Sequence, residues 1–436
     1  MSDIDVAVTT AFRREWARLV ATLIGVTGDW DLAQECAQEA FALAWQTWPR
    51  DGVPDRPGAW LLTTARHRAV DRLRRDRVGD GKLRQLVTTE GHDDAEPDFD
   101  ALDSGVEDQR LRLLFTCCHP ALAFDVQVPL ALRTLAGLTT AEIARAYGVS
   151  EATMAKRLVR AKQKIREAGI PYRVPPRHLL PERTRAVLAV IYLLFNEGYL
   201  ATSGTELYRP EPAEEALRLA ALLVELMPDD PEARGLHALV LLQHARSATR
   251  VSADGALVPL EEQDRTRWDR SRIAAGLAEL RHAARRERIG PYQLQAMIVA
   301  CHVTTDTAAD TDWAHIVELY DALLTRVPSP TVALNRAVAV AMRSGPRAGL
   351  ELLDELERDG GLATGHLLPA ARADLLRRLG RTTEAARAYR AALERTGNEA
   401  ERAYLHRRLR ELGTSDHECA CPLMSDTEAG STGPSS

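Results

Sequence analysis

Two clusters of side chains have the types and spacing to act on nucleic acid. Between Val126 and Arg166, Ser150 opens a predicted helix whose outer face carries Thr153, Lys156, Arg157, Arg160 and Lys164. Hydroxyls, ammoniums and guanidiniums so arranged can donate hydrogen bonds to phosphates and to base edges in a major groove. Between Trp60 and Arg77, a second predicted helix carries Trp60, Thr63, Thr64, Arg66, His67, Arg68, Arg72, Arg74, Arg75 and Arg77. Clustered arginines beside an aromatic ring and hydroxyls suit a strand whose bases have left the stack. One basic helix face is more often merely solvated. Two of them in a chain of net charge −6 weigh more, and they make any nucleic-acid surface local.

A third cluster is acidic. On a helix from roughly Leu32 to Trp48, Gln34, Glu35, Gln38 and Glu39 lie opposite a face expected to bury Ala37, Phe41, Ala44, Trp45 and Trp48. Such a patch suits a basic protein partner, although acids early in a helix also complement its dipole.

The elements that must hold these groups are legible. An apolar helix through Leu130, Leu132 and Leu135 stops at Gly137. Thr139 and Glu142 form a capping box that opens a short helix with Ile143, Ala144 and Tyr147 inward. Gly148-Val149-Ser150 makes the turn, and Ser150 caps a helix that buries Met154, Leu158, Ala161 and Ile165. Together these form a helix-turn-helix; the plain alternative is a helical hairpin with a solvated basic face. Earlier, Phe12, Trp16 and Leu19 begin an apolar stripe, and Pro54 and Pro57 punctuate the loop before the arginine-rich helix. That helix buries Leu62, Ala65, Ala69 and Leu73.

The whole chain reads as all-α. Its 436 residues allow two or three domains, with 45% hydrophobic and 5% aromatic residues. No apolar run is long enough to span a bilayer, and no signal peptide core is present, so the expectation is a cytoplasmic protein without membrane contact. Residues 78–108 form an acidic linker (Glu90, Asp93, Asp94, Glu96, Asp98, Asp100, Asp103), expected to be extended and long enough to set the two DNA-reading modules well apart on one duplex. After Pro175-Pro176 the chain reads as helical hairpins. The clearest unit has Gly380, Ala385, Tyr389 and Ala392 at tetratricopeptide spacing, with Leu376 and Leu379 on the preceding helix, and looser versions span Ala216–Arg246 and Trp313–Leu356. Such hairpins stack into a concave surface that would take a protein ligand. Residues 414–436 are expected to be disordered.

Catalytic and metal chemistry find little support. Cys117-Cys118-His119 and Cys301-His302 sit in apolar helical surroundings, where Cys behaves as a small hydrophobe. His417, Cys419 and Cys421 lack the paired spacing of a structural zinc site. No phosphate loop, dinucleotide fingerprint or nucleophile elbow occurs. The expectation is a non-enzyme without metal or cofactor.

The order of motifs resembles a bacterial sigma factor of the extracytoplasmic-function (ECF) type. DLAQECAQEAFALAW resembles the sigma region 2 helix that docks on polymerase, and WLLTTARHRAVDRLRR its promoter-melting helix. TTAEIARAYGVSEATMAKRLVRAKQKIRE resembles the region 4 helix-turn-helix. His67 stands where the family pattern usually has Asn. LLFTCCHPAL, IYLLFNEGYLATSG and PSPTVALNRAVAVA resemble a long subgroup with a tetratricopeptide-like (TPR-like) extension.

The resemblance implies region 2 over 1–77, the acidic linker over 78–108 threading toward the RNA exit path, region 4 over 109–170, and the extension over 171–413. It also implies core RNA polymerase bound by Gln34, Glu35, Gln38 and Glu39. The helix from Trp60 would take the −10 element of promoter DNA, and the helix from Ser150 the −35 element. A stand-alone helix-turn-helix regulator and a TPR-like scaffold whose basic helices bind only proteins are the competing readings.

Overall fold

The computed structural model describes residues 3–84, 106–135, 137–147, 149–199, 208, 210–252, 256–286, 288–360, 362 and 365–415. Among these the chain is helical, with one isolated bridge between Val251 and Leu257 and no named strand. Residues 85–105 of the predicted linker, and the tail from 416 on with His417, Cys419 and Cys421, lie outside the described residues.

The chain divides into two compact units. The first contains α1 (Asp3–Thr27), α2 (Trp30–Asp51), α3 (Pro57–Arg84), α4 (Val106–Cys117), α5 (Phe124–Leu135), α6 (Thr140–Ala146) and α7 (Glu151–Glu167). It also contains α8 (Leu180–Tyr199), α9 (Pro210–Leu226), α10 (Pro231–His244) and α11 (Arg270–Ala284). α12 (Pro291–Val303) runs from the first unit into the second. The second unit holds α13 (Trp313–Arg326), α14 (Pro330–Ser344), α15 (Pro346–Arg358), α16 (Leu367–Arg378), α17 (Thr382–Arg395) and α18 (Glu399–Ser415). Helices read from sequence as one extension thus fall in both units.

α1, α2 and α3 pack as a bundle. Trp16, Leu19, Leu23, Ala33, Ala37, Ala40, Leu61, Ala65 and Ala69 are buried, and small residues at three- and four-residue spacing let the helices approach closely. α3 continues to Arg84, so the helix extends into the segment expected to be an extended linker. The predicted core of α2 is displaced in one respect. Trp45 is 51% exposed, because it lies one residue, about 100° of helix, beyond the buried Ala44.

α4 and α5 pack on α1, and α8 packs on α5. Arg183 of α8 is buried and donates Nη1 to the Phe115 carbonyl at 3.1 Å. Gly198 is required by close approach, since a Cβ there would lie 2.4 Å from the Ala213 backbone nitrogen of α9. In the second unit, Ala385, Tyr389 and Ala392 of α17 pack with Leu376 of α16, as the tetratricopeptide spacing predicts. Gly380 turns between those helices with φ of +72°, a conformation that favours glycine. Leu379 lies just past the end of α16 and is exposed rather than packed in that core.

Candidate nucleic-acid interface

The turn chemistry of α6 and α7 follows the sequence closely. Thr139 Oγ1 accepts from the Glu142 amide at 3.2 Å, and Glu142 Oε2 accepts from the Thr139 amide at 2.7 Å, closing the capping box. Ser150 Oγ accepts from the Thr153 amide at 3.2 Å and caps α7. Met154, Leu158, Ala161 and Ile165 are buried, so the opposite face must point outward. Thr153, Lys156, Arg160 and Lys164 are exposed there. Arg157 is half-buried and partly restrained by Asp125, 3.8 Å away. Hydroxyl, ammonium and guanidinium donors are thus presented together on a fixed helix, the arrangement needed to read a groove.

On α3, Thr63, His67, Arg68, Arg74 and Arg75 are exposed, while Thr64 and Arg66 are half-buried. Trp60 is held edge-on to Trp48, with ring centroids 5.7 Å apart. Arg72 points elsewhere. Its guanidinium donates to both Glu35 oxygens at 3.1 and 3.2 Å and to Glu39 at 2.5 Å, and Arg68 lies 3.9 Å from Glu39. Arg72 therefore ties α3 to the acidic face of α2. The side chain of Arg77 lies outside the described residues.

Gln38 of α2 is exposed. Gln34 is drawn in, because Lys162 of α7 donates to its Oε1 at 2.6 Å and to Asp31 at 2.9 Å. In the chain without DNA, these contacts join α7 to α2. Trp45 falls seven residues beyond Gln38, two helical turns along the same face, and borders an open apolar groove with Val8, Phe12 and Phe41. Sequence reasoning counted Trp45 as core; only its angular offset from Ala44 and Trp48 signals otherwise.

The cysteine motifs are buried structure. Cys117 and Cys118 are fully buried, and burial pushes the Cys117 thiol up to about 12. His119 accepts at Nδ1 from the Ala121 amide at 3.1 Å and closes a turn. His302 packs edge-on to Trp313 at 5.3 Å, and burial with nearby Arg246 and Arg265 lowers its pKa to about 4. Among the described residues no group of three or more His, Cys, Asp or Glu side chains could hold a metal.

Residues 11–78 match the Sigma-70 region 2 family, and residues 112–165 match the Sigma-70 region 4 family. The chain is a sigma factor of the ECF type with a C-terminal helical extension. Residues 183–284 of that extension match a family of unknown function, DUF6596. An uncharacterized protein of Rhizobium meliloti (strain 1021) is 44% identical over 385 residues, which cover 88% of this chain and 90% of that protein. No solved structure matches the chain. The two sigma regions give this sigma factor a role in transcription initiation, with core RNA polymerase and promoter DNA as the partners of its family. Among the described residues, no helix is long and apolar enough to cross a membrane.

Proposed function

We propose that this sigma factor binds core RNA polymerase through α2, captures the −10 element with α3 and reads the −35 element with α7. The observation that carries this is the capped α7, shut on one face by Met154, Leu158, Ala161 and Ile165 and open on the other through Thr153, Lys156, Arg160 and Lys164. Polymerase contacts are assigned to Gln34, Glu35, Gln38 and Glu39. The exposed Trp45 extends that face, since an exposed aromatic beside a polar patch is the usual anchor of a protein interface. The −10 surface is assigned to Trp60, Thr63, Thr64, Arg66, His67, Arg68, Arg74 and Arg75. Arg72 contributes indirectly, by fixing α3 against Glu35 and Glu39. The docking and −10 roles are assigned to region 2 over 1–77 and the −35 role to region 4 over 109–170.

The extension modulates activity. Support comes from its first helices, which belong to the packing of region 4: Arg183 caps a buried carbonyl of α4, and Glu215 of α9 pairs with Arg110. Run-off transcription with reconstituted holoenzyme tests the whole assignment. Promoter-dependent transcripts are expected only when the chain is present. Truncation after Arg173 is expected to abolish them, because it removes α8 and bares the apolar faces of α4 and α5 on which α8 packs. Unchanged transcription by the truncated chain overturns the modulating role, and absence of any transcript with core polymerase overturns the sigma assignment.

A further inference from the structure

We propose that α7 is an intramolecular competitor for the polymerase-docking face, so that region 2 engages core polymerase only after α7 has left it. The proposal rests on the assignment of docking to α2. Its basis is that the recognition helix uses two faces at once. One face, through Thr153, Lys156, Arg160 and Lys164, is exposed. From the adjacent face two long side chains reach across to α2. There Lys162 donates to Asp31 and Gln34 at 2.9 and 2.6 Å, and Arg166 approaches Asp31 at 3.5 Å.

Burial at this contact is uneven in an informative way. The Lys162 side chain is only 13% exposed, so its ammonium is sequestered against α2 rather than waving over it. Gln34, a predicted docking residue, has its amide nitrogen buried with no hydrogen-bond partner. A buried unpaired donor disfavours the arrangement that creates it and would gain a partner on opening. Arg72 and Arg68 of α3 pair with the neighbouring acids Glu35 and Glu39, so α7 covers the docking face at Gln34 while α3 holds its two carboxylates.

The closed arrangement has further ties away from α7. Tyr172 Oη lies 2.8 Å from the Ala21 carbonyl of α1 and 2.9 Å from the Gln109 carbonyl of α4, and its one proton is shared between them. Gly137, at φ of +66°, lets the turn before α6 pack 3.3 Å from Trp16 where a Cβ would project. Upstream DNA can still reach the exposed face of α7 in this state, whereas a partner at Gln34 cannot enter without displacing Lys162. Polymerase, not promoter, is the opening ligand.

The test locks the full chain closed. Asp31→Cys and Arg166→Cys, in a Cys301→Ser, Cys419→Ser, Cys421→Ser background that leaves only buried native cysteines among the described residues, are bridged with a short bis-methanethiosulfonate that dithiothreitol cleaves. Bridged protein is expected to bind core polymerase at least about ten-fold more weakly than after cleavage, because apparent affinity scales with the open fraction. Charge reversal by Lys162→Glu with Arg166→Glu is expected to tighten polymerase binding instead. Equal binding by bridged and cleaved protein overturns the competition. A chain that binds polymerase in neither state, and whose unsubstituted form also fails, overturns the docking assignment and the proposal with it.

Discussion

Ser150 separates two jobs that one residue performs, capping a helix and facing DNA. Its Oγ accepts from the Thr153 amide at 3.2 Å and lies 2.8 Å from the Thr153 hydroxyl. Ser150→Ala removes the acceptor for an amide that the helix itself cannot satisfy, at a cost of about 1 kcal/mol. The chain has two compact units, so a global melt is a poor gauge of one cap. Amide exchange at Thr153 is the better assay, and about 1 kcal/mol corresponds to roughly five-fold faster exchange through local opening. Ser150→Asp should behave oppositely in the two respects. Aspartate caps as well as serine and adds a favourable charge at the helix start, so protection is kept. The same carboxylate would repel phosphates, so holoenzyme binding to its promoter should fall about ten-fold or more. Normal exchange in Ser150→Ala refutes the cap. Normal promoter binding by Ser150→Asp refutes the placement of this helix end at DNA.

Three further outcomes follow from particular contacts. Trp45→Ala should leave the fold intact, because the ring is half exposed, yet weaken core polymerase binding about thirty-fold if it is an interface anchor of about 2 kcal/mol; an unchanged pull-down removes Trp45 from the docking face. Gly198→Ala would place a Cβ 2.4 Å from the Ala213 nitrogen and 2.9 Å from its Cα, on backbone that cannot rotate aside. Overpacking of about 1–3 kcal/mol should outweigh the gain in helix propensity of about 1 kcal/mol, so unchanged or slower amide exchange in α8 and α9 counts against it. His302, lowered from 6.5 to about 4, is neutral in the folded protein, while the unfolded chain takes up a proton on acidification. Its contribution is intact above about pH 6.5 and is lost progressively as pH falls to about 4, on the order of 3 kcal/mol in all. Compared with His302→Gln, the native chain should therefore lose more stability between pH 7 and 4, and parallel pH profiles would contradict the assignment.

Local chemistry was legible in the sequence wherever a short-range rule governs it. Thr139 with Glu142 and Ser150 with Thr153 close caps over three residues, and the i, i+4, i+7 spacing of Met154, Leu158 and Ala161 decides which face of α7 is buried. The basic faces follow by subtraction, as does the Ala385–Tyr389–Ala392 core of the last hairpin. Contacts between elements far apart in the chain were not legible. Arg72 and Arg74 are both arginines on one helix; only the packing of α2 against α3 turns the first toward Glu35 and Glu39 and leaves the second exposed. Trp45 and Trp48 are both tryptophans on one apolar-rich helix, and about 60° of rotation, set by where α1 and α3 lie, separates exposed from buried. Lys162 meets Asp31 across 131 residues of chain. Periodicity fixes a side chain's direction about its own helix axis, but what stands in that direction depends on tertiary packing. In this protein that packing sets α4 and α5 on α1 and brings Lys162 to α2, contacts that no local pattern in either segment announces.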